Sequence, residues 1–366
     1  MPAEPITEIK VRVERLGSVL EPSTAPDEAL GVLNPACART RNGTLLLYPR
    51  DVARGNISRI GLVRANPAES FYRFERLGYV LQPEAEYERR EHSGYGCEDP
   101  RVSYIEALDQ YAMTYTAFGP HGPRVAIALS DDGYSWQRMG LLEFDRPGLH
   151  IGDDKDAAFF PEPVRSPSGE LSLAFYHRPM LHLSAVDGRA AIPLIEQMPF
   201  EDRESIRIGY VPLKPVLKNR ANITRVSESA LALSPDAQWG SLKIGCGTPP
   251  VRIEEGWMSL FHAVDVINPT TPKPKFRYCA GIVIHDYERP EVIRYRSPQP
   301  VLVPETAAER KGVVDNVVFP TGIDPRRDLG PRTFDVYYGM ADYKTGAVRL
   351  SFGDTQGGLE PAESAA

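Results

Sequence analysis

The stretch KDAAFFPEPVRSPSGELSLAFYHRP, Lys155–Pro179, decides the fold. It opens on two charged residues, passes through a few apolar ones, turns at Ser168-Gly169 and returns as the alternating run LSLAFY. Apolar residues, a turn and then an alternating run are the pattern of a β-hairpin. The same pattern recurs in NPACARTRNGTLLLYPRD from Asn34, EDPRVSYIEALDQYAMTYTAF from Glu98, GTPPVRIEEGWMSLFHAVD from Gly247 and DNVVFPTGIDPRRDLGPRTFDVYYGMAD from Asp315. Each hairpin is followed by a further strand-like run: SRIGLVRA, RVAIALSDDGYSW, LHLSAV, FRYCAGIVIHD and AVRLSFGD.

Five such units predict an all-β chain built as a five-bladed β-propeller. It reads as one domain over residues 1–366, with an insertion in the third blade at about 184–240. The 34 prolines and 30 glycines suit many strands joined by turns. Only 196–206 and 304–311 read as short helices.

Composition narrows the function classes. With 42% hydrophobic and 25% charged residues, the chain has the make-up of a soluble protein with a substantial core. A net charge of −7 argues against nucleic-acid binding by bulk electrostatics. No apolar run approaches the roughly 18 residues that span a bilayer, and the N-terminus lacks a secretory pattern. The expected setting is therefore the cytoplasm, without membrane contact. Cys37, Cys97, Cys246 and Cys279 form no CxxC pair and are expected as free thiols.

In a propeller the innermost strands face a central channel. The entry residues Asn34, Glu98, Asp99, Lys155, Asp156, Lys243 to Thr248, Asp315 and Asn316 are expected to converge there. Arg50, Arg178, His262 and Asp342, which end second strands, approach the same cavity. Pro100 biases Asp99 towards an extended conformation. Adjacent strand residues point to opposite faces, so only one of Glu98 and Asp99 should face the channel. Arg101 is expected to pair elsewhere in the sheet. A strand-entry turn with an internal salt bridge is the competing reading of EDPR. Lys155, Arg178 and Lys243 around His262 would form an anion site, most simply for phosphate. Solvated surface charge competes for each alone; their shared place in the repeats favours the site.

A metal site from Cys37, Cys97, Cys246 and His262 is weaker than small apolar packing of the cysteines. A Ser-His-Asp triad lacks its GxSxG elbow. Tyr95, Tyr115, Tyr176, Trp239, Trp257, Tyr278 and Tyr338 suit either sugar stacking or packing between blades.

GCEDPRV with YAMTYTAF, KDAAFFPE with YHRP, KIGCGTPP with GWMSLFHAV, and VVFP with YYGMAD occur in order. Together they resemble glycoside hydrolase family 130, the β-mannoside phosphorylases and related β-mannosidases. The resemblance implies a five-bladed propeller and an inverting reaction in which inorganic phosphate attacks a terminal β-mannose. It implies α-mannose 1-phosphate and a shortened saccharide as products, with phosphate as co-substrate and no cofactor. Asp99 would be the general acid, acting through the mannose 3-hydroxyl. Asn34, Arg50, Glu98 and Asp342 would serve the mannose. Lys155, Arg178, Lys243, His262 and Tyr278 would hold phosphate. Family members that assemble suggest a homo-oligomer.

A hydrolase of the same family would need a second carboxylate for water, with Glu162, Glu305 and Glu309 as candidates. Phosphate is already a nucleophile and needs cations instead, so Arg178, Lys243 and His262 favour phosphorolysis. A catalytically silent carbohydrate-binding propeller is the third reading.

Overall fold

The computed structural model describes residues 5–144, 152–181, 188–268 and 275–353. The chain is all-β. Among the described residues most of its strands form five antiparallel four-stranded meanders, laid down in sequence order except that the first strand of the chain joins the last sheet.

The first sheet runs Gly31–Arg39, Leu45–Ala53, Ile57–Asn66 and Ser70–Leu81. The second runs Tyr95–Ile105, Gln110–Gly119, Gly122–Ser130 and Gln137–Leu141. A short parallel contact, Ile57 to Tyr95 and Ser58 to Gly96, joins the two. Gly96 permits it: at φ +129° a Cβ there would lie 2.2 Å from the Ser58 carbonyl oxygen.

The third sheet comprises Asp154–Phe159, Leu171–Pro179, Ile206–Pro212 and Glu228–Leu233. The fourth comprises Lys243–Cys246, Gly256–Val266, Phe276–His285 and Ile293–Arg296. The fifth takes Val318–Pro325, Thr333–Met340 and Lys344–Phe352 from the C-terminal part. Its outer strand, Val11–Leu20, comes from the other end of the chain and pairs antiparallel with Lys344–Phe352. That pairing covers an edge that would otherwise be open.

Apolar clusters fill the seams between successive sheets. Leu46, Tyr48 and Ile60 of the first meet Val102, Met113 and Ala126 of the second. Ile105, Ile127 and Leu129 meet Phe159, Leu173 and Val211 of the third. Tyr176, Ile208 and Tyr210 meet Ile244, Trp257 and Phe261 of the fourth. Leu260, Ile282 and Ile284 meet Val318, Val336 and Val348 of the fifth. Tyr337 and Ala347 then meet Val32, Leu47 and Val63 of the first, so the packing runs in a cycle. Each fully buried Leu, Ile, Val or Phe contributes about 1.5–3 kcal/mol. The first strands of the sheets lie against one another inside this cycle.

One expectation is corrected. Residues 184–240 are not simply an insertion, because two of them-borne segments, Ile206–Pro212 and Glu228–Leu233, are the third and fourth strands of the third sheet. Ile206, Ile208 and Tyr210 alternate into the core, which selects this run as the partner of Leu171–Pro179. Most of LHLSAV, read above as that strand, lies outside the described residues. The additions are instead the helix Gly188–Gln197 with Phe200–Asp202 after the second strand, and Leu213–Lys218 with Arg220–Thr224 after the third. The second predicted helix is present as Ala307–Arg310, capped by Thr306.

Candidate active site

Asn34, Asp99 and Asp156 all have left-handed backbones, with φ of 46°, 48° and 55°. Each sits where the register of a first strand breaks, between Leu33 and Ala36, Glu98 and Arg101, and Lys155 and Ala158. Asn and Asp tolerate this conformation better than other side-chain-bearing residues. The extended backbone expected before Pro100 is therefore overturned: the bulge, not the proline, sets the direction of Asp99. A bulge also interrupts the alternation of faces. Glu98 and Asp99 consequently turn towards the same arginine, against the expectation that only one would.

That arginine is Arg50. Its Nη1 donates to Asp99 Oδ1 at 3.2 Å, its Nη2 to Glu98 Oε1 at 2.8 Å and its Nε to Ser58 Oγ at 2.9 Å. Asn34 Nδ2 donates to Asp99 Oδ1 at 2.8 Å. Asn34 has room because Gly339 has no side chain; a Cβ there would lie 1.9 Å from Asn34 Oδ1. Lys155 Nζ donates to Glu98 Oε2 at 3.4 Å, so this lysine leans on the acid cluster while standing opposite Arg178 in the strand pairing.

Burial works to raise the Asp99 carboxyl, but Arg50, Arg101 and Lys155, with the Asn34 amide, outweigh it and hold it below its ordinary range. Asp342 behaves oppositely. Desolvation, opposed by Arg50 and reinforced by Asp99 and Glu98, pushes it up to about 6. Without ligand, Asp342 is thus the better proton holder of the two.

The second half of the site is organised by Asp156, whose side chain is 2% exposed. Asp156 Oδ2 accepts from Arg178 Nε at 2.7 Å and lies 3.5 Å from His262 Nε2. Its Oδ1 accepts from Arg101 Nη2 at 3.4 Å. Arg178, His262 and Arg101 overcome the burial that would raise this carboxyl, and hold it well below its usual range. Burial drives His262 down to about 3, with Arg178, Arg101 and Lys243 acting in the same direction and Asp156 opposing them. The imidazole is neutral at neutral pH. It lies against Phe319, with ring centroids 4.3 Å apart, and near Tyr278, at 6.3 Å. Lys243 stands opposite Val264, as does Tyr278 from the other side, and it makes no ion pair among the described residues. Arg178 Nη1 also donates to Glu204.

Arg101 makes its ion pair not within its own sheet, as expected, but with Asp156 of the third sheet. It donates to the Asp99 carbonyl at 2.9 Å, to Asp156, and to the carbonyls of Gly247 at 3.0 Å and Cys246 at 2.9 Å. It thereby fastens the acid half to the cation half. Asp156 was readable as the counterpart of Asp99, since KDAA and EDPR occupy the same place in the repeat; its role as the hub was not read. Phe319 lay within the quoted VVFP without being singled out, and Glu204 carried no such signal.

Other candidates are engaged elsewhere. Glu162 pairs with Arg252 at 2.6 Å and Glu305 with Arg15 at 2.7 Å. Glu309 is buried on Arg15, the Tyr338 hydroxyl and the backbone N–H groups of Glu305 and Thr306. The four cysteines are buried free thiols. Tyr115, Tyr176, Trp239 and Trp257 are packed in the seams.

The all-β scaffold thus sets an acid cluster on Arg50 beside a cation cluster on Asp156, with Arg101 between them. The family model described as beta-1,4-mannooligosaccharide phosphorylase matches residues 3–187 and 219–354, and the chain belongs to that family, glycoside hydrolase family 130. A 1,2-beta-oligomannan phosphorylase of Thermoanaerobacter is 29% identical over 301 residues, covering 81% of this chain and 80% of its own. A beta-1,4-mannooligosaccharide phosphorylase of Ruminococcus albus is 26% identical over 71% of this chain and 64% of its own. The solved structure of Listeria innocua beta-1,2-mannobiose phosphorylase, in complex with beta-1,2-mannobiose, superposes with a TM-score of 0.67 at 20% identity. It covers 93% of this chain and 96% of its own, a likeness of fold.

Proposed function

We propose that the chain is a single five-bladed β-propeller that cleaves a terminal β-mannoside with inorganic phosphate, giving α-mannose 1-phosphate and a shortened saccharide. The observation that carries this reading is the Arg101 bridge. It ties the Asp99 cluster to the Arg178–His262 cluster, and in this reading the two are walls of one site.

In this reading Asn34, Arg50, Glu98 and Asp342 position the mannose, and Arg178, Lys243, His262 and Tyr278 receive phosphate, with Lys155 between the two groups. Phosphate attacks the anomeric carbon while Asp99 supplies a proton, through the sugar 3-hydroxyl, to the departing oxygen. Asp99 lies low in the free enzyme and takes up the proton it donates as the site fills. A phosphate dianion adds negative charge and ligand excludes water, and both raise a carboxyl. Neutral His262 donates a hydrogen bond without needing to titrate. No carboxylate proposed above for water activation lies free, which supports phosphate as the nucleophile.

The test is incubation with a panel of β-1,2- and β-1,4-linked mannosides with and without phosphate. Sugar phosphate released only with phosphate supports the reading. Equal release of free mannose in both arms replaces it with hydrolysis, and binding without turnover replaces it with a silent sugar-binding protein.

A further inference from the structure

Arg178, assigned above to phosphate, already has both ends of its guanidinium occupied. Nε is held by Asp156 and Nη1 by Glu204. The two carboxylates differ in kind. Asp156 is buried and shared among Arg101, Arg178 and His262. Glu204 keeps 12% of its side chain exposed, and its other oxygen accepts only a long bond, 3.4 Å, from the Leu181 N–H. Its backbone is nevertheless fixed at the seam: the Glu204 carbonyl accepts from Ile244 N–H at 3.1 Å, one residue beyond Lys243. Glu204 also lies in residues 188–218, between the two stretches matched by the family model, whereas Asp156 and Arg178 lie within a matched one.

We propose that Glu204 is a built-in competitor of phosphate, its carboxylate filling the anion position on Arg178 until phosphate displaces it. The inference rests on the phosphorylase reading. A guanidinium has two donor edges, and each can hold one oxyanion through paired N–H groups. Asp156 anchors the Nε side, so the edge left for a ligand is the one Glu204 covers. A dianion held there beside an unmoved Glu204 would set like charges in contact where water screens poorly. Fixed backbone and partly exposed carboxylate together suit a side chain that swings aside while its loop stays. Glu204 would then set the phosphate concentration at which the enzyme becomes active.

The experiment is calorimetric titration of inorganic phosphate into the full chain, its Glu204→Gln variant and its Glu204→Ala variant, with KM for the mannoside measured alongside. The expected result is phosphate binding about tenfold tighter in both variants, equivalent to about 1.4 kcal/mol, with mannoside KM unchanged. Unchanged or weaker phosphate binding in the variants overturns the proposal. Phosphate binding to none of the three proteins overturns the phosphorylase reading itself. Free mannose released without phosphate by the wild type and by neither variant would make Glu204 a water-activating base, which also overturns the proposal.

Discussion

Asp99→Asn separates the acid's chemistry from its structural bonds. The amide oxygen can still accept from Asn34 Nδ2 and Arg50 Nη1, and Arg50 keeps its 2.8 Å bond to Glu98. What is lost is one charge, so stability should fall by no more than about 2 kcal/mol, the scale of one charge-assisted hydrogen bond. Catalysis should suffer far more. Positioned proton transfer is worth about 10²–10⁴-fold, or roughly 2.7–5.4 kcal/mol at 1.36 kcal/mol per decade. Initial rates of phosphorolysis should be compared for a β-mannobiose and for a nitrophenyl β-mannoside, whose leaving group departs without a proton. The variant should lose at least about 10²-fold on the first and less than about tenfold on the second. Equal losses on both substrates, or small losses on both, would refute the acid role.

Two further outcomes follow from neighbouring residues. Asp342 is held up to about 6 by desolvation and by Asp99 and Glu98 against the pull of Arg50, so it gains a charge as pH rises through that value. The same step removes a proton that the Asp342, Asp99 and Glu98 carboxylates hold among them, so kcat/KM, which needs a proton at Asp99, should fall on the alkaline side of about pH 6 in a pH profile, a limb that Asp342→Asn should flatten. Gly339→Ala places a methyl 1.9 Å from Asn34 Oδ1, so Asn34 must shift and release Asp99. Overpacking of this kind costs about 1–3 kcal/mol in urea unfolding, and activity should fall with it; an unaltered rate would dissociate Asn34 from the site.

Much of the scaffold was legible in local pattern. NG, SG and EG turns between alternating runs located the hairpins of the first, third and fourth sheets, because turn chemistry and period-two burial are both written locally. The third sheet was misdivided because Ile206–Pro212 pairs with Leu171–Pro179 across a long intervening segment, and nearness in sequence favoured LHLSAV. Part of the expected set meets: Asn34, Arg50, Glu98 and Asp99 touch, as do Arg178 and His262 through Asp156, whereas Asp315 pairs with Lys311 at the surface. Their directions were not legible. Bulges at Asn34, Asp99 and Asp156 break the alternation on which face assignments depend. Glu204 reaches Arg178 only because its loop docks on the fourth sheet, a tertiary event with no motif.

The central claim is that phosphate itself makes the new bond, from the face opposite the departing sugar. Proton NMR of a β-mannobiose incubated with the protein and one equivalent of phosphate tests it most directly. The account predicts the α-anomer of mannose 1-phosphate as the first-formed product, growing as phosphate is consumed, with no reaction when phosphate is withheld. The β-anomer as first product, or free mannose forming at the same rate without phosphate, would contradict it.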